Sequence, residues 1–311
     1  MNIVALAGGV GGAKLVDGLA RILHPDNLTV IVNTGDDFDH WGLKICPDLD
    51  TVCYTVSGLV NPETGWGRRD DTWNMLSEIS RLKGDDWFKL GDRDLATHIE
   101  RTERLVNGQS LSQITREFCL AWGIKITILP MTDDPVSTIV ITKDQGELAF
   151  QEYFVHQRCE PKVNSFKFAG IEYAAPAPGI LEAIEQSDAL VLCPSNPWVS
   201  LDPILAVPGI LPSIKKKKTI VSVSPIVGGN AIKGPAAKMF TELGKTPSPF
   251  AVAEHFMGII SHFVLDTIDH NHEIAVKGLG VDTLVTNTIM ATIEERQQLA
   301  SDVLNFIKRS S

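Results

Sequence analysis

A chain of 311 residues can bury a large core as one domain or two, and its 44% hydrophobic and 21% charged content shows no biased tract. The net charge of −10 argues against a nucleic-acid partner, because gripping a phosphate backbone requires a basic face. No window approaches the roughly 18–20 apolar residues of a bilayer span, and the opening Met1-Asn2-Ile3-Val4-Ala5 lacks the charged and apolar regions of a secretory leader. Five scattered cysteines without a C-x-x-C pair suit a reducing cytoplasm, so a cytoplasmic protein without a membrane partner is expected.

In chain order, an apolar run at 3–7 predicts a buried strand, followed by the glycine turn Gly8-Gly9-Val10-Gly11-Gly12 and a helix over 13–23. A second strand is expected at 28–33, leading into an acidic stretch over 33–55. Residues 70–122 read as consecutive helices, among them 95–106 and 111–121, the latter opened by the cap candidate Ser110. A strand at 124–129 precedes a hairpin over about 136–155 that turns at Lys143-Asp144-Gln145-Gly146. Then come a helix at 180–186, strands at 189–193 and 219–223, and helices at 235–243 and 293–307. Near-continuous apolar strands alternating with helices predict right-handed βαβ units and an open α/β sheet. The whole chain reads as a single α/β domain, 1–311, with a helical insertion at about 70–122 and a β-hairpin at about 136–155.

Ligands in such sheets bind outside the carboxyl ends of the strands, so the residues following each strand carry the functional signal. The glycine turn offers backbone N–H groups and a helix dipole to an anion. Gly9-x-Gly11 begins like a dinucleotide fingerprint, but Lys14 stands where the third glycine belongs. Leu15 follows that lysine, so the Walker A pattern fails too. The next stretch, "NTGDDFDHWGLKICPDLDTVCYT", places Asp36, Asp37, Asp39, Asp48 and Asp50 within fifteen positions. Carboxylates packed so densely raise one another's pKa unless a cation answers them, and Mg²⁺ shared with substrate phosphates would do so. Two later turns, Cys193-Pro194-Ser195-Asn196-Pro197 and Ser224-Pro225-Ile226-Val227-Gly228-Gly229, set small polar groups beyond predicted strands. Residues 266–273, "DTIDHNHE", read as an exposed loop more readily than a metal site. The run Lys215 to Lys218 reads as a solvated helix end, and Cys193 as a packed core residue.

These segments, together with "WFKLGDRDLATHIERTERL" (87–105) and "SPIVGGNAIKGPAAKM" (224–239), closely resemble the 2-phospho-L-lactate transferase family nearly end to end. The resemblance implies a Rossmann-like fold, a homodimer and dependence on Mg²⁺ as cofactor. It implies a reaction in coenzyme F-420 biosynthesis, in which the terminal ribityl hydroxyl of the deazaflavin Fo attacks a lactyl-diphospho-guanosine donor. GMP leaves, and a phosphodiester joins lactate to Fo; an enolpyruvyl donor would serve the same chemistry. On this resemblance Asp50 is expected to be catalytic and, with Lys89, to bind Fo. Gly9, Gly11, Gly12, Lys14, Ser195, Asn196, Ser224, Pro225 and Gly229 are expected around the diphosphate and nucleotide, and Asp37, Asp48 and Asp50 at the metal. Trp41 and Trp87 are either neighbours of the deazaflavin ring or packed core tryptophans. A non-catalytic nucleotide-sugar-binding regulator shares the GG-x-GG start, but its pattern lacks His40-Trp41-Gly42 and the KLGDRDLATHI segment. An NAD-type oxidoreductase fits less well, since the second strand closes on Asn33 rather than an acid.

Overall fold

The computed structural model describes residues 1–309, in which the elements begin as expected and depart from the expectation in the middle and after residue 243. Strand β1 (Ile3–Ala7) leads through the glycine turn into α1 (Gly9–Ile22), and β2 (Leu28–Val32) follows. The acidic stretch is not a plain loop. It forms a small hairpin, β3 (Phe38–His40) and β4 (Leu43–Ile45), and then enters α2 (Pro47–Val56). Proline at the first helical position suits that start, because its missing N–H would lack a partner there anyway.

The helical insertion comprises α3 (Asn74–Arg81), α4 (Asp92–Val106) and α5 (Leu111–Ala121). Ser110 opens α5 as expected: its hydroxyl accepts from Gln113 N–H while the Gln113 side chain answers the Ser110 N–H, a reciprocal capping box. After β5 (Thr127–Pro130) the chain builds three antiparallel strands where two are expected. They are β6 (Ser137–Thr142), β7 (Gly146–Ala149) and β8 (Val163–Ala169), with β6 in the centre. The expected second arm is cut short at Ala149, since residues 152–156 wind into a helical turn.

The remaining elements are α6 (Ile180–Gln186), β9 (Ala189–Leu192), α7 (Asp202–Ala206), α8 (Ile210–Ile214) and β10 (Ile220–Val223). A two-residue hairpin, β11 (Ile226–Val227) and β12 (Asn230–Ala231), precedes α9 (Ala236–Glu242) and α10 (Pro249–His255). Two more strands, β13 (His262–Asp266) and β14 (Asp282–Thr286), flank α11 (Glu273–Lys277), and α12 (Ile293–Arg309) closes the chain.

Seven strands form one open parallel sheet in the order β14-β13-β10-β9-β1-β2-β5. This is the expected Rossmann-like α/β class. Along β1 the side chains alternate between two cores: Val4 and Leu6 enter one, Ile3, Ala5 and Ala7 the other. Both sheet faces are therefore covered, which explains why the central strands are apolar without alternation. The chain winds outward from β1 through β2 to β5, then returns to β9 on the other side and winds away again. The strand order thus reverses between β1 and β9, and a crevice opens at their carboxyl ends. No helix among the described residues is long and apolar enough to cross a membrane.

Candidate active site

The glycine turn lies in this crevice, and its geometry differs from an open phosphate cradle. Gly9 has φ +62°, a left-handed conformation that favours glycine, and α1 begins there rather than at residue 13. The other glycines are required by close packing. A methyl group at Gly8 would overlap Asp48 Oδ2 and Ser200, one at Gly11 the Pro194 carbonyl, and one at Gly12 the Ser195 hydroxyl. Ser195 ties the turn down on both sides, accepting from Gly8 N–H at 3.0 Å and donating to the Gly8 carbonyl at 2.7 Å. The Lys14 ammonium donates to the Met290 carbonyl at 2.7 Å. Partial burial, then the neighbouring charges of Arg296 and Lys233, lower its pKa.

Beside the turn sits a compact set of buried acids, Asp36, Asp37, Asp48 and Asp50; Asp39 lies outside it, exposed on β3. Asn33 organises the set from the end of β2. Its amide donates to Asp36 Oδ1 at 3.2 Å, Asp48 Oδ2 at 2.9 Å and the Val199 carbonyl at 3.1 Å. Asp48 stands at the amino end of α1, accepting from Gly9 N–H as well. Burial drives the Asp37 pKa up to about 7 and the Asp48 pKa up to about 6. Asp36 rises through burial and the adjacent charges of Asp48 and Asp37. Asp50 differs in having a counter-ion: both its oxygens accept from the guanidinium of Arg101.

The repulsion expected from the sequence is present at Asp36, which Asp48 and Asp37 raise, whereas burial dominates at Asp37 and Asp48; Asp37 Oδ1 is buried with no hydrogen-bond partner. No group of three or more His, Cys, Asp or Glu side chains among the described residues is arranged to hold a metal ion alone. A cation that takes one or two carboxylates and completes its shell from substrate phosphates and water fits such a donor set. The stability linkage follows from the sign of the shifts. A folded-state pKa raised above the unfolded value means the folded state binds more protons, so the stabilising contribution is complete below about pH 4 and is lost as pH rises through the folded pKa. Without divalent ions, Asp37→Asn should gain stability over the parent at pH 8 and lose that advantage at pH 5, read from urea midpoints. An advantage equal at both pH values would contradict the buried-ionisation account.

Lys89 lines a narrow cleft together with Trp66, Arg68, Asp71, Trp73 and Asp94. Trp66 and Trp73 expose 42% and 44% of their surface, which is unusual for indoles and suits a face waiting for a flat partner. The same segment, 61–68, leans over the glycine turn. A methyl at Gly65 would come within 2.7 Å of Val10 Cγ1, and Lys233 donates to the Thr64 carbonyl beside it. Trp41 and Trp87 are half-buried in an aromatic cluster with Phe38, His40 and Phe88, and Trp41 Nε1 donates to the Asp85 carbonyl.

On the other side of the crevice, Asn196 caps the turn after β9 by accepting from Trp198 N–H at 3.1 Å. Ser224 spends its hydroxyl within its own turn, donating to the Ile226 carbonyl at 2.8 Å, with Pro225 next to it. Gly229, at φ +76°, lies in the β11–β12 turn. The strands β1, β9 and β10 are neighbours, so their carboxyl ends gather these residues and the glycine turn along one edge. The loop reading of 266–273 requires correction, because Asp266 and Asp269 are buried. Asp266 accepts from Thr288 N–H and Asp269 from Gly228 N–H, so both brace backbone.

Sequence reading passes over Arg101, although a signal was present. Asp94, Thr97, His98 and Arg101 are spaced along one helical face, and all four are buried. A polar stripe at that spacing on α4 marks a buried network rather than a solvated side. Trp66 and Trp73 carry no comparable signal, since only the fold brings the 61–73 segment over Lys89.

Residues 3–302 match the family described as 2-phospho-L-lactate transferase CofD. A phosphoenolpyruvate transferase of Kitasatospora aureofaciens is 42% identical over 311 residues, covering 98% of this chain and 97% of its own length. A 2-phospho-L-lactate transferase of Methanosarcina mazei is 39% identical over 302 residues, covering 97% of this chain and 99% of its own. Among solved structures, a UPF0052 family protein from Bacillus halodurans superposes with a TM-score of 0.66 at 17% identity, covering 97% of this chain and 98% of its own, a likeness of fold alone.

Proposed function

The chain belongs to the 2-phospho-L-lactate transferase family CofD, and from that premise we propose that it joins a phospholactyl or phosphoenolpyruvyl group to the deazaflavin Fo in coenzyme F-420 biosynthesis. The observation that carries the reading is the shared wall of residues 61–68, which borders the Lys89 cleft on one side and the glycine turn on the other. Acceptor and donor sites would then meet at the acid cluster.

In this reading the deazaflavin ring lies against Trp66 and Trp73, with Lys89 at its polar edge. The ribityl chain runs towards Asp50, and its terminal hydroxyl oxygen attacks the phosphorus nearest the lactyl or enolpyruvyl group. The bridging P–O bond breaks, GMP leaves with that oxygen, and the hydroxyl proton is lost to a loop carboxylate or solvent. Such transfers are accelerated by in-line placement and by neutralising charge on the phosphoryl oxygens. Asp48 and Asp37 would hold Mg²⁺, which when bound supplies positive charge to the diphosphate. Asp50, already paired with Arg101, is left to the acceptor. The segments of Ser195, Asn196 and 224–229 border the nucleotide. Relatives named for the two donors match at nearly equal identity, so both donors belong in the assay. Placement in the cytoplasm and assembly as a homodimer complete the proposal.

Fo is fluorescent through its ring system, so titration of protein into Fo reads acceptor binding directly. Lys89→Ala should weaken that binding roughly tenfold, the loss of one charge-assisted hydrogen bond, while leaving the thermal midpoint unchanged. Equal affinity in parent and variant would remove Lys89 from the acceptor site. Tight binding of a UDP-sugar with no Fo binding would favour the regulator alternative.

A further inference from the structure

Arg101 is a large side chain with 2% of its surface exposed, and a guanidinium at that depth is tolerable only with its charge answered and its donors used. Four elements answer it. From α2, Asp50 accepts with both oxygens, Oδ2 from Nη1 at 3.1 Å and Oδ1 from Nη2. From β4, the Lys44 carbonyl accepts from Nη1 at 3.3 Å. From α4 itself, His98 Nδ1 lies 3.2 Å from Nη1, and α5 supplies the Phe118 ring, 6.0 Å from Cζ. Arginine carries no acceptor, so His98 Nδ1 must be the acceptor there and its proton must sit on Nε2. That nitrogen lies 3.5 Å from Asp94 Oδ1, which in turn accepts from the Tyr54 hydroxyl at 2.8 Å. Asp94 lines the Lys89 cleft. The groups thus follow one another from the cleft wall to Asp50, with one link, His98 Nε2 to Asp94, an ion-pair contact that no hydrogen bond closes.

A forked donor meeting a carboxylate with two parallel bonds fixes the distance and also the rotation of the carboxylate plane, which a lysine ammonium cannot do. Each Asp50 oxygen keeps a lone pair free on the side away from the fork. We propose that Arg101 is the positioning residue of the transfer: it touches no substrate and holds Asp50 in the one orientation that serves the acceptor hydroxyl, with His98 fixing the guanidinium in turn. This rests on the functional reading above, through the role given there to Asp50.

The test is a double-mutant cycle in the full-length protein, with Fo and donor turnover measured on the parent in parallel. Arg101→Lys keeps the charge and should melt cooperatively. It should nevertheless lose at least about thirtyfold in kcat, with the donor KM within twofold. In the Asp50→Asn background the same change should cost nothing further, because there is no carboxylate left to orient. Added guanidinium should restore part of the activity of Arg101→Ala, where methylammonium does not. If Arg101→Ala fails to fold, the Arg101→Lys cycle decides alone. Parental kcat in Arg101→Lys, or an equal loss in both backgrounds, would show a purely structural residue and overturn the proposal. A parent chain that makes no phosphodiester overturns the functional reading, and this proposal with it.

Discussion

Asp50→Asn is expected to lower turnover by roughly 100-fold or more and, in the same protein, to cost about 3–5 kcal/mol of stability. The first effect follows from the role proposed for Asp50 at the acceptor hydroxyl. The second follows from geometry alone, since the amide leaves the buried Arg101 guanidinium without its counter-ion. Fold and turnover are thus both at stake in this one change. Turnover should therefore be measured well below the variant's melting temperature, alongside a urea titration. Unchanged turnover would remove Asp50 from the chemistry, and an unchanged midpoint would contradict the burial of the pair.

Gly11→Ala should destabilise the protein by about 3 kcal/mol, at the upper end of what an overpacked site costs. The added methyl meets the Pro194 carbonyl, which is backbone at the carboxyl end of the central strand β9 and cannot swing aside. Gly9→Ala makes the useful contrast. Its Cβ would stand 3.5 Å from Asp48 Oδ1, an ordinary contact, so only the left-handed backbone opposes it, at about 1–2 kcal/mol. The urea midpoint should therefore fall further for Gly11→Ala than for Gly9→Ala. The reverse order would mean that the glycines serve backbone conformation rather than the junction with residues 194–195.

These two substitutions mark where the sequence is a good guide and where it stops. The central strands β1, β2, β9 and β10 are legible because burial on both faces leaves an apolar run that nothing else imitates. Strands β13 and β14 are not. Their segments carry His262, Asp266 and Asp282, and these polar residues break the apolar run that would reveal a strand. The third strand of the appendage, β8, does show alternation, with Phe166 and Phe168 alternating with Ser165 and Lys167, yet no turn signal connects it locally to β6.

At the site, the density of aspartates after β2 correctly marks a place where charge accumulates. Spacing alone cannot sort them. Asp48 and Asp50 lie two positions apart in the first turn of α2, so they point to different sides: one to Asn33 and the glycine turn, the other to Arg101. Arg101 comes from another helix, and no local pattern links it to Asp50. The glycines give a related lesson. A glycine-rich turn before a helix reads as an anion cradle, but glycine is equally the residue that lets two backbones touch, and only the fold shows Pro194 and Ser195 pressed against Gly11 and Gly12.

The most direct measurement of the central claim is a product analysis by mass spectrometry and chromatography. Purified protein is incubated with Fo, Mg²⁺ and either the lactyl- or the enolpyruvyl-diphospho-guanosine donor. The account predicts a phosphodiester of Fo and GMP in equal amounts with at least one donor, and neither product when Fo is omitted. GMP released at the same rate without Fo, or no phosphodiester with either donor, would contradict it.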